Sequence, residues 1–291
     1  IFLYVPSENL ILLAFTLAGA AFGFSMRHLH ATTHTDASAA STRLVRLRLG
    51  VFGVVCIALI LYVSVTVGRR AFAEAYTNQG FLMLTQQQAD SALLSAKQAQ
   101  SIEITGNDLL LADAAGNLKL QQMTANTTTP SKADQAAFTA QLQSTVEYSQ
   151  QYIKMNPKDY RGYLSLANIY NLLTSIGVQN AYENASRVYQ TAAQYNPINP
   201  GIPLAEARLE VANKNNKGAE TYVLQALTLK PDYTDAILFV VQLNVANKDL
   251  PSAVKAAQAA VRSAPGVPAI WFELGLLYYT QGDMSNASLA L

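Results

Sequence analysis

Two patterns of hydrophobic and polar positions divide this chain. Near its beginning lie two unbroken apolar runs, and from Tyr160 onward apolar residues recur at helical spacing within a longer period. Pro197, Pro231 and Pro265 mark that period, standing 34 residues apart. An alanine sits twelve and five positions ahead of each proline: Ala185 and Ala192, Ala219 and Ala226, Ala253 and Ala260, with Ala287 opening the set again. Large apolar side chains, among them Leu166, Tyr170, Val240, Trp271, Leu274 and Tyr278, fill the positions between. The pattern predicts two antiparallel helices per period, the second ended by proline. Small residues let the helices approach, but a single pair cannot bury its apolar face. The core has to come from stacking, in an all-α fold.

The earlier runs are different in kind. No charged residue separates Glu8 from Arg27, and none lies between Arg48 and Arg69. Both runs, about 9–26 and 49–68, are apolar all round rather than on one face. Each is long enough to cross a hydrocarbon core of about 30 Å. Residues 1–70 therefore read as a membrane region with two transmembrane helices. Ala14, Ala18, Ala21 and Gly23 suit close helix contact in a bilayer. The connection 27–48 carries Arg27, Arg43, Arg46 and Arg48 against Asp36 alone, which assigns it to the cytoplasmic side. Arg69 and Arg70 pull the other way. His28, His30 and His34 share that connection without an acidic or thiol partner at fixed spacing, so it reads as a solvated linker rather than a metal site.

Between these halves, residues 71–158 read as helical with an eroded repeat pattern. Residues 71–86 continue out of the membrane, and 90–101 form an amphipathic helix with Ala92, Leu93, Ala96 and Ala99 on one side. Gly106-Asn107 breaks it. A further helix covers 109–123, with Gly116-Asn117 as an alternative hairpin. Ser131 caps a long helix over 132–155 that stops at Asn156-Pro157. The interval from Pro157 to Pro197 exceeds the period by six residues, and Thr174–Tyr182, with Gly177, is the natural place for the insertion.

Composition sharpens this picture only in part. Charged residues make up 13% of the 291, about half the usual share of roughly 25%. That deficit fits a membrane portion, and a net charge of +1 excludes the basic face of a nucleic-acid binder. Cys56, the single cysteine, lies inside an apolar run and offers neither a disulfide framework nor a metal ligand set. No phosphate loop, His-Glu-x-x-His or nucleophile constellation is present, so no catalytic residue, cofactor or metal is expected. The sequons at Asn126, Asn184 and Asn286 read as structural asparagines. The chain opens Ile-Phe-Leu-Tyr without an initiator Met, and Leu291 falls where a second helix still has residues to run. It reads as a piece of a longer protein.

Trp271-Phe-Glu-Leu-Gly-Leu-Leu-Tyr278, followed by Ala287, resembles the opening of a tetratricopeptide repeat (TPR), W-x2-L-G-x2-Y and then a small residue. Tyr163-Leu-Ser-Leu-Ala-Asn-Ile-Tyr170, Tyr195-Asn-Pro-Ile-Asn-Pro200 and Leu274-Gly-Leu-Leu-Tyr-Tyr279 resemble the repeats of bacterial O-antigen ligase/polymerase-like membrane proteins. So does the order of elements: a span introduced by Pro6-Ser7, a short basic loop, a last span, Arg69-Arg70-Ala and a repeat array. The resemblance implies a TPR-type solenoid, a right-handed superhelix of antiparallel pairs, with repeats at about 160–199, 200–233, 234–267 and a truncated 268–291. It implies that the first helices line a concave groove formed by Asn168, Asn171, Leu204, Arg208, Leu238, Gln242, Phe272 and Tyr279. Only Arg208 is basic there, which does not suit the acidic chaperone tails that other TPR proteins clamp. A protein or peptide segment with apolar anchors is the partner the groove fits.

Two functions follow from the resemblance. In one, the chain is the extracytoplasmic tail of a ligase or polymerase of lipid-linked glycans in the bacterial cytoplasmic membrane. Its contacts are then the bilayer, a protein or peptide, and a lipid-linked glycan through the missing N-terminal part. The glycan-transferring residues of that family lie in loops between earlier spans, so none carries over to this sequence. In the other, the chain is a non-catalytic, membrane-tethered TPR scaffold for a cell-envelope complex. Both place the repeats outside the cytoplasm. An impermeant thiol reagent on intact cells should therefore label a cysteine placed at Asn216 and miss one placed at Ser38; the opposite pattern overturns the topology.

Overall fold

The computed structural model describes residues 39–126 and 130–291, as twelve helices with no strand among them. Two compact units share the chain. One contains the chain up to Tyr76 with Gln98–Ile104, and the other contains Thr77–Lys97 with Thr105–Leu291.

The first described helix, α1, covers Ala39–Thr85, 47 residues or about 70 Å of helix. Its part from Gly50 to Thr85 is long and apolar enough to cross a membrane, and the most apolar stretch has no buried residue. Val54 and Tyr62 are 67% and 70% exposed. Of the two crossings expected, the described residues thus hold one candidate, and it contains the expected run 49–68. The expected crossing at 9–26 lies outside the described residues, as do the three histidines. One boundary moves. Arg43, Arg46 and Arg48, expected in a connecting loop, belong to α1, because no glycine or proline interrupts Ala39–Leu49 before the apolar run begins. Further along, the Arg69 guanidinium donates to the carbonyl of Ile102, the last residue of α2 (Ala89–Ile102), an end that lacks helical donors.

In the second unit the end of α1 serves as the first helix of a pair. Met83 and Leu84 of α1 pack with Ala92, Leu93 and Ala96 of α2 and with Leu111, Ala112 and Ala115 of α3 (Gly106–Asn126). The alanine stripe expected on 90–101 is buried. Gly80 explains how the helices come so close: a Cβ there would stand 2.3 Å from a Leu111 methyl and 3.1 Å from Ser95 Cβ. The alternative hairpin at Gly116-Asn117 does not form. Helix α3 runs through it, since Gly116 is a contact glycine whose Cβ would meet Thr145 Oγ1 at 2.3 Å. Thr145 belongs to α4 (Lys132–Met155), which starts at a capping box between Ser131 and Asp134.

Four more pairs follow: α5 (Tyr160–Ser175) with α6 (Ala181–Tyr195), and α7 (Gly201–Ala212) with α8 (Asn216–Leu229). Then come α9 (Thr234–Ala246) with α10 (Leu250–Ser263), and α11 (Pro268–Gln281) with α12 (Met284–Ala290). In three of the four, small residues face each other, and in the α9–α10 pair Val241 meets Ala253. Ala167 and Ala185 share one core cluster, as do Ala207 and Ala219, and Val241 and Ala253, while Gly275 lies against Ala287.

The first helices also end alike. Gln87, Gly177, Lys214, Lys248 and Gly282 adopt φ between 60° and 82°. After each, the next N–H donates to the carbonyl five residues back, as Asn215 does to Glu210 and Asp249 to Asn244. This Schellman closure uses up orphan carbonyls and turns the chain at once. Asn215, Asp249 and Asp283 then cap the second helix, each accepting an N–H at 3.1 Å. The insertion after α5 is shared between a longer first helix of 16 residues and a loop from Ile176 to Asn180. An aromatic six residues past the proline pins two of the turns between pairs: Tyr163 Oη donates to the Pro157 carbonyl and Trp271 Nε1 to that of Pro265.

First helices of successive pairs touch, α3 with α5 and α5 with α7, whereas successive second helices meet at most marginally. Ala226 and Ala260 are buried where second helices meet the following pair. Ala226→Leu or Ala260→Leu should overpack those junctions and cost about 1–3 kcal/mol. Chemical unfolding of the full chain in detergent, with midpoints compared to the parent, checks this; unchanged midpoints for both would contradict the packing.

Candidate interaction groove

Each first helix buries one side in the stack and leaves a stripe exposed. On α5 the stripe holds Asn168, exposed, and Asn171, half-buried. On α7 it holds Arg208 and Val211, and on α9 it holds Gln242 and Val245 with Leu238 half-buried. On α11 it is wholly apolar or aromatic: Phe272, Leu276 and Tyr279 are 61%, 47% and 59% exposed. The stripes of α5 and α7 are neighbours because those helices touch. The face therefore grades from amides toward aromatics along the stack.

Leu204 does not join it. It is 1% exposed and packs with Ala219, Val223 and Ala226 of α8 and with Ala236 and Leu243 of α9. Small Ala207 and Ala236 leave the space it fills, so Leu204 is a core residue that a partner does not reach. Asn168 has a second task. Its Oδ1 accepts from Tyr189 Oη at 2.7 Å, and Tyr189 is fully buried in α6. Arg208 makes no ion pair among the described residues.

Two features went unnoticed in the sequence. Helix α7 carries Glu206 and Glu210 where other repeats place Leu166, Val240 and Leu274, or Tyr170 and Tyr278. Glu210 is buried and accepts from Tyr182 Oη at 2.8 Å and from Asn215 Nδ2 at 2.6 Å. Burial, and then the neighbouring Glu210 carboxylate, push Glu206 up to about 7. The signal was available as acidic residues at phased core positions. The second feature is Asp113, buried in α3 and hydrogen-bonded to Ser149 and Asn117. No cluster of three or more His, Cys, Asp or Glu side chains suited to a metal ion occurs among the described residues.

The Asn168–Tyr189 bond gives a clean energetic test. Asn168→Ala strands a buried phenol and should cost about 1–3 kcal/mol. Adding Tyr189→Phe removes the stranded group and should recover most of that loss. A double-mutant cycle by denaturant unfolding checks it, and strictly additive losses would show that the bond contributes nothing.

Comparison with known proteins agrees with this geometry. Residues 241–291 match the sequence profile of the tetratricopeptide repeat family. No curated protein sequence matches the chain. Among solved structures the chain is similar to a thermophilic TPR protein of Thermus thermophilus, at 17% identity and a TM-score of 0.57, covering 71% of this chain and 99% of that one. It is also similar to PilF of Pseudomonas aeruginosa, with 13% identity, a TM-score of 0.49 and coverage of 77% and 90%. A tetratricopeptide repeat protein of Parabacteroides merdae follows at 16%, 0.44, 76% and 77%. At these identities the likeness concerns the fold. The described helices thus form an all-helical, TPR-like solenoid whose residues 241–291 carry the tetratricopeptide repeat sequence.

Proposed function

We propose that this chain is a membrane-anchored TPR module that holds a segment of a protein partner in the groove lined by its first helices. One observation carries the binding half: Phe272, Leu276 and Tyr279 stand exposed in a row on α11. An apolar row of this kind on a soluble face marks an interaction site. Arg208 and the amides of Gln242 and Asn171 supply the polar contacts that fix orientation. The apolar part of α1 supports the anchoring half, since it exposes Val, Ile and Leu over the length a bilayer core requires.

The wider setting rests on the resemblance to O-antigen ligase/polymerase-like proteins. There the repeats recruit or position a partner beside a glycan transfer performed by earlier spans, with the repeats outside the cytoplasm. The competing setting is a scaffold with no enzymatic parent. The full coding sequence separates the two: further spans upstream with a large loop favour the ligase-like parent, and a start codon just before Ile1 favours the scaffold.

Site-specific photocrosslinking in cells tests the groove. A benzophenone amino acid at Gln242 or Leu276 should give one defined adduct, identified by mass spectrometry. The same probe at Glu220 or Lys255, exposed on second helices, should not. Phe272→Ser with Leu276→Ser should abolish the adduct while shifting stability by no more than about 0.5 kcal/mol, because both side chains are exposed. Adducts from Glu220 and Lys255 alone would move the binding site off the groove.

A further inference from the structure

The junction of α3, α4 and α5 is polar where those from α8 to α12 are built from alanine, valine, leucine and isoleucine. At its centre Asp113 is 0% exposed. Its Oδ2 lies 2.9 Å from Ser149 Oγ of α4, and its Oδ1 lies 3.0 Å from Asn117 Nδ2. Asn117 Nδ2 reaches on to Ser165 Oγ of α5 at 3.1 Å, so the cluster ties three helices together.

Among the described residues no cation serves this carboxyl. Lys119 of α3 is held by Asp90 of α2 at 2.6 Å, and Arg161 of α5 by Asp159 at 2.6 Å. Asp108, also on α3, takes its bonds from Thr105. On α4, Glu147 accepts from Gln151, Tyr148 packs against the α2–α3 core, and Tyr152 donates to Asp159. Every group that touches Asp113 is neutral.

Counting protons shows which state the cluster is built for. Ser149 has one hydroxyl proton and two acceptors in reach, Asp113 Oδ2 and, at 3.3 Å, the Thr145 carbonyl. If Asp113 is ionised, that proton is drawn to the carboxylate, which also accepts from Asn117, and a hydrogen-bonded charge with no cation beside it stays buried. If Asp113 is neutral, its own proton goes to Ser149 Oγ and the Ser149 proton passes to the Thr145 carbonyl. The chain of bonds is then complete and nothing buried is charged.

We propose that Asp113 is a proton-operated joint: protonated, it couples the α3–α4 pair to α5, and ionised, it loosens that junction. Burial pushes its carboxyl from 3.8 up to about 7, outweighing the hydrogen bonds from Ser165, Ser149 and Asn117 that favour the charged form. The sign follows from linkage. The folded value is raised, so the stabilisation is fully present below about 3.8 and is lost as pH rises through about 7. Because each pair in a stack contacts only its neighbours, loosening one junction uncouples what lies on either side of it.

Hydrogen exchange of the full chain in detergent micelles, resolved by mass spectrometry and corrected for intrinsic rates, tests the joint. Between pH 5.5 and pH 8, amides of 108–120 and 145–153 should lose protection at least tenfold, while those of 242–260 stay constant. Asp113→Asn keeps the neutral hydrogen bonds and should abolish that dependence while keeping protection high at pH 8. Glu206→Gln, on α7, should leave it in place. A dependence that survives in Asp113→Asn, or is absent from the parent, overturns the proposal. Should Asp113→Asn fail to fold, Ser149→Ala serves instead: it removes the bond between α3 and α4 in either protonation state, so amides of 145–153 should already have lost protection at pH 5.5, and protection there equal to the parent's overturns the proposal.

Discussion

The stack depends on how closely the two helices of each pair approach, and that distance is set by small residues facing each other midway along them. Helix axes normally lie about 8–10 Å apart, with the spacing fixed by the side chains at the contact. Glycine or alanine on one helix facing alanine on the other allows a close approach, and in the α9–α10 pair Val241 takes the first place. The tight turn after the first helix then becomes possible, because one left-handed residue and one capping residue suffice to bridge the two axes. Size matters here more than chemical type. In the two earliest pairs Ser95 and Thr145 take the place of alanine opposite Gly80 and Gly116. Thr145 directs its hydroxyl to the Gln141 carbonyl of its own helix at 2.7 Å, so the added oxygen is satisfied without moving the neighbour.

This constraint explains what was legible in the sequence. From Tyr160 onward the alanines and prolines recur in strict phase, so helix pairs and their junctions could be read directly. Upstream the same contact is made by Gly80 with Ser95 and by Gly116 with Thr145, and glycine by itself is ambiguous between a turn and a close approach. Nothing local distinguishes Gly116, deep in a helix interface, from a hairpin glycine. The missing information lies in α4, thirty residues away. The start of α1 was obscured for another reason: Arg43, Arg46 and Arg48 look like loop charges, yet arginine is a good helix former and no breaker precedes them.

The exposed stripe of the first helices was legible in outline and less so in detail. Repeat phase placed Arg208, Gln242, Phe272 and Tyr279 on an exposed stripe, where the structure has them. It also placed Leu204 there, and Leu204 is buried because Ala207 and Ala236 leave a space beside it that a leucine fills. Phase fixes direction, whereas burial depends on the volumes of residues contributed by the next pair. Lys214 and Lys248 make the same point at the turns. They occupy a left-handed position that Gly177 and Gly282 fill elsewhere, and only the comparison among repeats reveals it.

The polar exceptions sit at junctions rather than on the surface, and this gives the stack a direction. Between α7 and α11 the pairs are joined by alanine, valine and leucine, whose burial is indifferent to pH. Between α3 and α7 the joints contain Asp113, Glu206 and Glu210, groups that cost free energy when buried charged, and the hydrogen-bond partners of Asp113 and Glu210 are neutral. A nearest-neighbour stack transmits order only as well as its weakest joint. The carboxy-terminal pairs, which present the apolar row on α9 and α11, therefore hold together through contacts of their own, and the titratable joints lie between that row and the helix that enters from α1. On that account the exposed apolar row lies at the end whose joints carry no buried carboxyl, while the proposed joint at Asp113 lies among the earlier pairs.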